Sequence, residues 1–218
     1  LVPSIKWMAD FRDPWTTVGY HKDLKLGKRA QKRHLALEKE VLHTADLLIV
    51  TSPHTGKEFK SKTTTPIQLI TNGYDITPNA RSKQPDAAFV LAHIGTLLSD
   101  RNPQLLWESL RELCIESQDF SSHFKLQLAG NVSQEIIDSL VEYQLDQYLD
   151  NKGYVSHDQS VELMYQAQVL LLIEIDTVET RAIIPGKIFE YFASRRPIIA
   201  IGPKEAAIEL LITDTHSG

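Results

Sequence analysis

The residue hardest to explain without a ligand is Lys187, in the run Pro185-Gly186-Lys187-Ile188-Phe189-Glu190-Tyr191. Proline has no amide hydrogen to lose and a backbone angle suited to the first helical position, so the spacing predicts a helix opening at Pro185. The unpaired amides and the dipole make such an end electropositive, and a cation in that first turn is opposed unless an anion lies beside it. A phosphate resolves the conflict. Glu190, three positions on and on the same helical face, offers a carboxylate to the hydroxyls of a sugar. Phosphate beside ribose suggests a nucleotide. The rival account is an ordinary helix start with an exposed Lys187 to Glu190 pair, worth a few tenths of a kcal/mol. The loop before it, Asp176 to Ile184 with Arg181, fits an anion-binding mouth.

Glycines recur where strands should end: Gly95 after His93-Ile94, Gly130 after Leu128-Ala129, and Gly202 after Ala200-Ile201. In open parallel sheets ligands bind along that edge, and glycine lets them approach the backbone. Gly95-Thr96-Leu97 with the following Arg101 offers free amides, a hydroxyl and a guanidinium suited to phosphate oxygens. No Gly-x-Gly-x-x-Gly is present, and Gly95 reads equally as a tight strand-to-helix connection. Tyr154-Val155-Ser156-His157 closes another strand at this edge, where the backbone of Val155 and Ser156 can meet a base, or His157 can simply open a helix. In Ala9-Asp10-Phe11-Arg12-Asp13-Pro14-Trp15 a strand runs into charges and a proline. Arg12 and Asp13 there are polar groups for the acceptor side of a cleft, or else an ion pair or an Asx turn before Pro14. Asp10 and Asp13 lack further ligands and the histidines lack metal-ligand spacing, so no metal is expected.

The elements that must position these groups follow from the hydrophobic pattern. Short apolar runs alternate with longer amphipathic stretches, the signature of parallel sheets wrapped by crossover helices. Strands are expected at Ile5 to Phe11, Leu47 to Thr51, Ile67 to Thr71, Phe89 to Ile94, Lys125 to Ala129, Gly153 to Val155, Val169 to Ile173 and Pro197 to Ile201. Helices are expected near 24–45, 53–61, 103–117, 134–145, 157–167, 186–194 and 204–211. Ser52-Pro53 reads as a cap and first helical position, and Ser156 with Gln159 as a capping box.

With 218 residues, 42% hydrophobic and 23% charged, the composition is that of a soluble globular protein of one or two domains. Apolar runs such as Val169 to Ile173 are far shorter than the roughly 18 residues of a membrane span, and Leu1 to Lys6 does not resemble a signal peptide. Cys114 is the only cysteine, which excludes an intramolecular disulfide and makes a reducing cytoplasm the default. Charge is uneven. Residues 1–78 carry 12 Lys and Arg against 8 Asp and Glu, while residues 79–218 carry 11 against 20. The acidic remainder argues against a nucleic-acid binder. Lys22, Lys25, Lys28, Arg29, Lys32 and Arg33 are spaced to put most of their charge on one helical face, which suits anionic lipid headgroups, an acidic acceptor or plain solvent.

The polar stretch Asp75 to Asp86, with two prolines, interrupts the alternation. It divides the chain into residues 1–78, a linker at 79–86, and residues 87–218. The first segment reads as the C-terminal part of a doubly wound domain, and the second stops where another strand is expected.

The order of five segments resembles the retaining glycosyltransferases of the GT-B fold, in particular the glycogen-synthase-like group that builds bacterial polysaccharides. The segments are Ala9 to Trp15, Ile70 to Asp75, His93 to Leu97, Gly153 to His157 and Pro185 to Tyr191. The resemblance implies an α/β architecture of two Rossmann-like doubly wound domains, the first incomplete here, with a nucleotide sugar held mainly by the second. Gly95, Thr96 and Arg101 would then hold the diphosphate together with Pro185, Gly186 and Lys187. Glu190 would hold ribose, Val155 and Ser156 would face the base, and Arg12 and Asp13 would lie on the acceptor side. The implied reaction moves the sugar to a saccharide or lipid-linked acceptor with retained configuration, without a metal or other cofactor, using Arg101, Lys187 and Asp13. One departure is plain: many members carry a glutamate eight residues before the ribose-binding one, and that position here is Ala182. Two other readings stay open, a nucleotide-sugar epimerase of the same architecture and a non-catalytic nucleotide-binding module.

Overall fold

The computed structural model describes residues 5–74 and 88–218. The expected linker at 79–86 and the boundaries at 78 and 87 lie outside the described residues. The chain forms two compact units. One comprises the chain up to Gly73 with the segments Thr177–Pro185 and Pro203–Leu211, and the other comprises the rest.

The first unit carries a three-stranded parallel sheet of β1 (Met8–Phe11), β2 (Leu47–Val50) and β3 (Ile67–Leu69), in that order. Two helices, α1 (Lys28–Thr44) and α2 (Pro53–Lys60), make the crossovers. Phe11, Leu42, Leu48, Val50 and Phe59 form its core, with Phe11 edge-on to Phe59 at 4.8 Å between centroids. Full burial of a ring such as Phe59 contributes about 1.5–3 kcal/mol. Ser52 caps α2 by accepting the Thr55 N–H, with Pro53 at the first helical position, as the sequence predicts.

Helix 24–45 is not continuous. A 3-10 turn, Gly19–Leu24, ends at Lys25 in the left-handed region (φ 48°), and extended Gly27 caps a separate α1. Glycine at 27 loses the most backbone freedom on joining a helix, so the chain breaks there. His21 and His34, ring nitrogens 3.1 Å apart, tie the turn to α1. Of the six cations, only Lys28, Arg29, Lys32 and Arg33 share that helix, and Lys22 instead lies 3.7 Å from Glu179.

The second unit is built on a five-stranded parallel sheet ordered β6-β5-β4-β7-β8. Its strands are β4 (Phe89–Ile94), β5 (Phe124–Ala129), β6 (Leu149–Gly153), β7 (Val169–Ile173) and β8 (Ile198–Ile201). Helices α3 (Gln104–Glu116), α4 (Gln118–His123), α5 (Gln134–Glu142), α6 (His157–Gln166) and α7 (Lys187–Ser194) join them. Helix α8 (Ala207–Thr215) follows, with Ala207–Leu211 counted in the first unit and the remainder in the second. The chain starts in the middle at β4, winds outward to β6, then returns to the far side of β4 for β7 and β8. That reversal is the doubly wound pattern, with its switch point between β4 and β7. Trp107, Leu126, Leu128, Ile136 and Leu171, all with no exposed surface, fill the core.

The strand expected at Gly153 to Val155 lies earlier. β6 pairs along β5 from Leu149 and ends at Gly153, where φ turns to +61°. As an edge strand with one neighbour it tolerates the polar run Asp150-Asn151-Lys152, which hides it from a search for apolar alternation. Helix α4 was not anticipated either. Ser117 ends α3 and caps α4 by accepting the Phe120 N–H, dividing one polar-apolar pattern into two helices.

Candidate functional site

The residues singled out after β4 and at the start of α7 meet at the β4–β7 switch point. Gly95 leaves β4 at φ +133° and donates its N–H to the Ala129 carbonyl at 2.7 Å. Gly130, at φ +128°, lies directly against it: a Cβ there would overlap the Gly95 carbonyl oxygen and sit 2.6 Å from its carbonyl carbon. The Leu97 N–H continues the tie to the Asn131 carbonyl at 2.9 Å. These turns interlock, which makes Gly95 more than a generic tight connection. On its other side a Cβ at Gly95 would stand 2.8 Å from Lys187 Nζ. The ammonium thus lies in the space that Gly95 leaves open, with the exposed Thr96 next in the chain.

Lys187 is half-buried, which corrects the picture of an exposed lysine paired to Glu190. Burial lowers its pKa from that of an ordinary lysine, Glu174 pulls it back up and Arg101 adds to the lowering. The helix also starts later than expected. Gly186 is the cap, with helical angles (φ −54°, ψ −33°), and Lys187 is the first helical residue, so Pro185 stands before the helix. The cation is therefore closer to the free amides than the sequence implied. Tyr191, completely buried, fixes the helix: its hydroxyl accepts the Ile94 N–H at 3.0 Å and lies 3.4 Å from the Ile94 and Leu171 carbonyl oxygens. One phenol thereby ties α7 to the last residue of β4 and to β7.

Arg101 ends a 3-10 turn, Ser99–Arg101. The next residue holds that turn in place, because Trp107 Nε1 donates to Asn102 Oδ1 and Asn102 Nδ2 donates to Ser139 Oγ, each at 2.8 Å. Arg101 Nη2 is 3.3 Å from Glu174 Oε2. Glu174 was not among the sequence candidates, yet it is only 7% exposed and belongs to this cluster. Burial raises its pKa, Arg101 and Lys187 pull it down, and Asp100 pushes it up. Gly202 gives it room, since a Cβ there would be 3.3 Å from Glu174 Cβ. The available signal was a glutamate immediately after the apolar run Val169 to Ile173.

His93 lies fully buried under the same turn. Nδ1 donates to the Leu171 carbonyl at 3.0 Å, and Nε2 has no hydrogen-bond partner among the described residues. Burial, and then the charge of Lys187, push its pKa down to about 4, so the imidazole is neutral at physiological pH.

Glu190 approaches His157 Nδ1 at 4.0 Å, an ion pair when the ring is protonated. The end of β6 and the start of α6 are thus brought beside α7. The capping box holds as expected: Ser156 Oγ accepts the Gln159 N–H and Gln159 Oε1 accepts the Ser156 N–H. It also commits the Ser156 amide, leaving half-buried Val155 and the exposed Tyr154 as the neighbouring surface. In the first unit, Arg12 is exposed. Its guanidinium lies 3.5 Å from Asp10 and donates to Asn72, and Asp13 is half-buried beside it in the chain. Thr51 Oγ1 donates to the Arg12 carbonyl at 2.6 Å, locking the end of β1 to β2. Among the described residues no group of three or more His, Cys, Asp or Glu could hold a metal ion.

No family model matches this sequence, and neither does any curated protein. Solved structures do match. HepE of Anabaena, in complex with UDP, superposes with a TM-score of 0.64 at 14% identity, covering 97% of this chain and 62% of that one. Sucrose-phosphate synthase from Thermosynechococcus elongatus gives 0.58 at 18% identity, with 97% and 60% covered. TarM of S. aureus, crystallised with fondaparinux, alpha-GlcNAc-glycerol and UDP, gives 0.57 at 15% identity, with 90% and 36% covered. The fold of this chain is that of the GT-B glycosyltransferases. At these identities it is the fold that is shared, and the chain spans 36% to 62% of the length of these three proteins.

Proposed function

We propose that the chain binds a nucleotide diphosphate sugar and serves a glycosyltransferase that passes the sugar, with retained configuration, to a saccharide or lipid-linked acceptor in cell-surface polysaccharide synthesis. The observation that carries this reading is Lys187 held against Gly95 beside Arg101, at the start of α7 and at the switch point of a doubly wound sheet. A departing diphosphate gathers negative charge. Two cations and the amides that open α7 would stabilise that charge more in the transition state than in the ground state, so the step as proposed needs no metal. Glu190 is proposed for the ribose hydroxyls, the backbone near Val155 and Ser156 for the base, with Val155 its open part since the cap commits the Ser156 amide, and Arg12 and Asp13 for the acceptor side. The division into an acceptor domain (residues 1–78) and a donor domain (residues 87–218) is part of the same proposal. Neighbours of the same fold were crystallised with UDP, or with UDP and glucose.

A panel of UDP-glucose, GDP-mannose and ADP-glucose, with and without saccharide acceptors, tests the reading. At least one donor should bind and turn over, and Glu190→Ala should weaken its binding about tenfold, the loss of one or two carboxylate hydrogen bonds. Binding without turnover would favour the non-catalytic module, and no binding at all would refute the site.

The same reading includes peripheral contact with an anionic membrane on the cytoplasmic side, which suits the single free Cys114. Among the described residues no helix is long and apolar enough to cross a membrane. From Leu24 to Leu37 the sequence has no acidic residue, and Lys25, Lys28, Arg29, Lys32 and Arg33 are exposed together with Leu24 and Leu35. At about 1 kcal/mol per basic residue near an anionic surface, the patch should hold phosphatidylglycerol-rich vesicles. Reversing Lys28 and Lys32 to glutamate should cut co-sedimentation tenfold or more. Equal binding to pure phosphatidylcholine vesicles would count against an electrostatic contact.

A further inference from the structure

The clamp contains a charge that opposes its proposed ligand. Glu174, 7% exposed at the C-terminal end of β7, has Oε2 3.3 Å from Arg101 Nη2, and Arg101 Nε is buried without a hydrogen-bond partner among the described residues. The groups acting on Glu174 are Arg101 and Lys187, both positive, and Asp100, negative. His93 lies close enough to feel both cations but stays neutral. Two cations against one buried carboxylate leave a small positive excess, and an arriving diphosphate adds like charge next to Glu174 where little water can screen it. An ionised Glu174 would then both repel the ligand and keep Arg101 from it.

Resting on the nucleotide diphosphate reading above, we propose that Glu174 is a positioning residue: ionised, it holds Arg101 by the 3.3 Å contact, and when the diphosphate binds it takes up a proton from solvent and releases the guanidinium to the phosphate oxygens. The proton ends on a Glu174 carboxyl oxygen, and the Arg101 hydrogen bond moves from carboxylate to phosphate. No covalent bond between heavy atoms changes. Burial outweighs the pull of its two cationic neighbours and raises the pKa of the carboxyl above that of an ordinary glutamate.

The sign follows from linkage. Ligand binding raises the Glu174 pKa, so protons are taken up and affinity is highest at low pH. Affinity falls as pH rises from the free to the bound value, about tenfold for each unit between them. The probe is whichever nucleotide sugar of the panel binds tightest, since its diphosphate diester has no ionisation near neutrality and any proton gained belongs to the protein. Calorimetry in buffers of different ionisation enthalpy should show proton uptake by the wild type. Uptake should be smaller in Glu174→Gln by the share that Glu174 contributes, any exchange at the His157–Glu190 pair being common to both proteins, and the variant's affinity near neutrality should be at least equal to that of the wild type. If Glu174→Gln does not fold, Glu174→Ser serves instead.

Equal uptake in the Glu174 variant and the wild type would overturn the proposal. So would a variant that binds more weakly at every pH, since that describes a carboxylate that only braces Arg101. Absence of any nucleotide sugar binding by the wild type is a separate result, which removes the site reading itself.

Discussion

Lys187→Ala is expected to weaken nucleotide diphosphate binding about 100-fold without loss of stability. A charge-assisted contact to phosphate in a poorly hydrated site contributes roughly 1.5–3 kcal/mol, and the upper part of that range corresponds to two orders of magnitude in Kd. The expectation for stability runs the other way. The ammonium is partly desolvated, sits at the positive end of α7 and is near Arg101, so three effects disfavour it and only Glu174 favours it. Removing it should leave the melting temperature unchanged or slightly higher. The pH dependence has the matching sign. Because the folded-state pKa of Lys187 is lowered, its charge costs stability at neutral pH, and that cost is relieved as pH rises through the folded value toward 10.5. Titrating UDP and GDP into the wild type and the variant, with melts in parallel, checks both halves. An unchanged affinity would remove Lys187 from the site, and a large fall in stability would make it a structural residue.

The parts of the site that the sequence revealed are those whose meaning is local. Pro185-Gly186-Lys187 reads as a helix start with a misplaced cation because three adjacent residues carry the whole argument, although the helix opens two residues later than proline preference suggests. A glycine directly after an apolar run reads as the end of a strand without knowledge of its neighbours. Glu174 and His93 have no such local meaning. Each follows or sits within an apolar strand, and each matters only because β4 and β7, far apart in the chain, pair side by side at Leu91 with Val169 and Ala92 with Leu170. That pairing comes from the reversal of strand order, which no short window contains. The errors in element boundaries have the same character. β6 is polar because it is an edge, and Ser117 divides α3 from α4 by accepting one N–H. Both are facts about partners rather than about propensity.

Gly130→Ala should cost about 3 kcal/mol or more and take nucleotide binding with it, a larger structural effect than its distance in sequence from Lys187 suggests. At φ +128° an L-residue is strained by roughly 1–3 kcal/mol. The added methyl would also overlap the Gly95 carbonyl, a backbone group that cannot rotate away. Relieving the overlap means moving the Gly95 turn, and overpacking of that kind typically costs a further 1–3 kcal/mol. The displacement would fall on Gly95, whose N–H holds the Ala129 carbonyl at 2.7 Å and whose open side accommodates Lys187 Nζ. Loss of stability and loss of the clamp are therefore one event. Gly186→Ala provides the contrast for stability: its backbone angles are helical and nothing lies within 4 Å of a Cβ there. That change should be neutral, or stabilising by about 0.5 kcal/mol through a less flexible unfolded chain. Denaturant unfolding of the two variants against the wild type, followed by UDP and GDP titration under conditions where each is folded, makes the comparison. If Gly130→Ala is as stable as Gly186→Ala and binds nucleotide normally, the Gly95 turn is not the rigid cradle described, and Lys187 must be held by α7 alone.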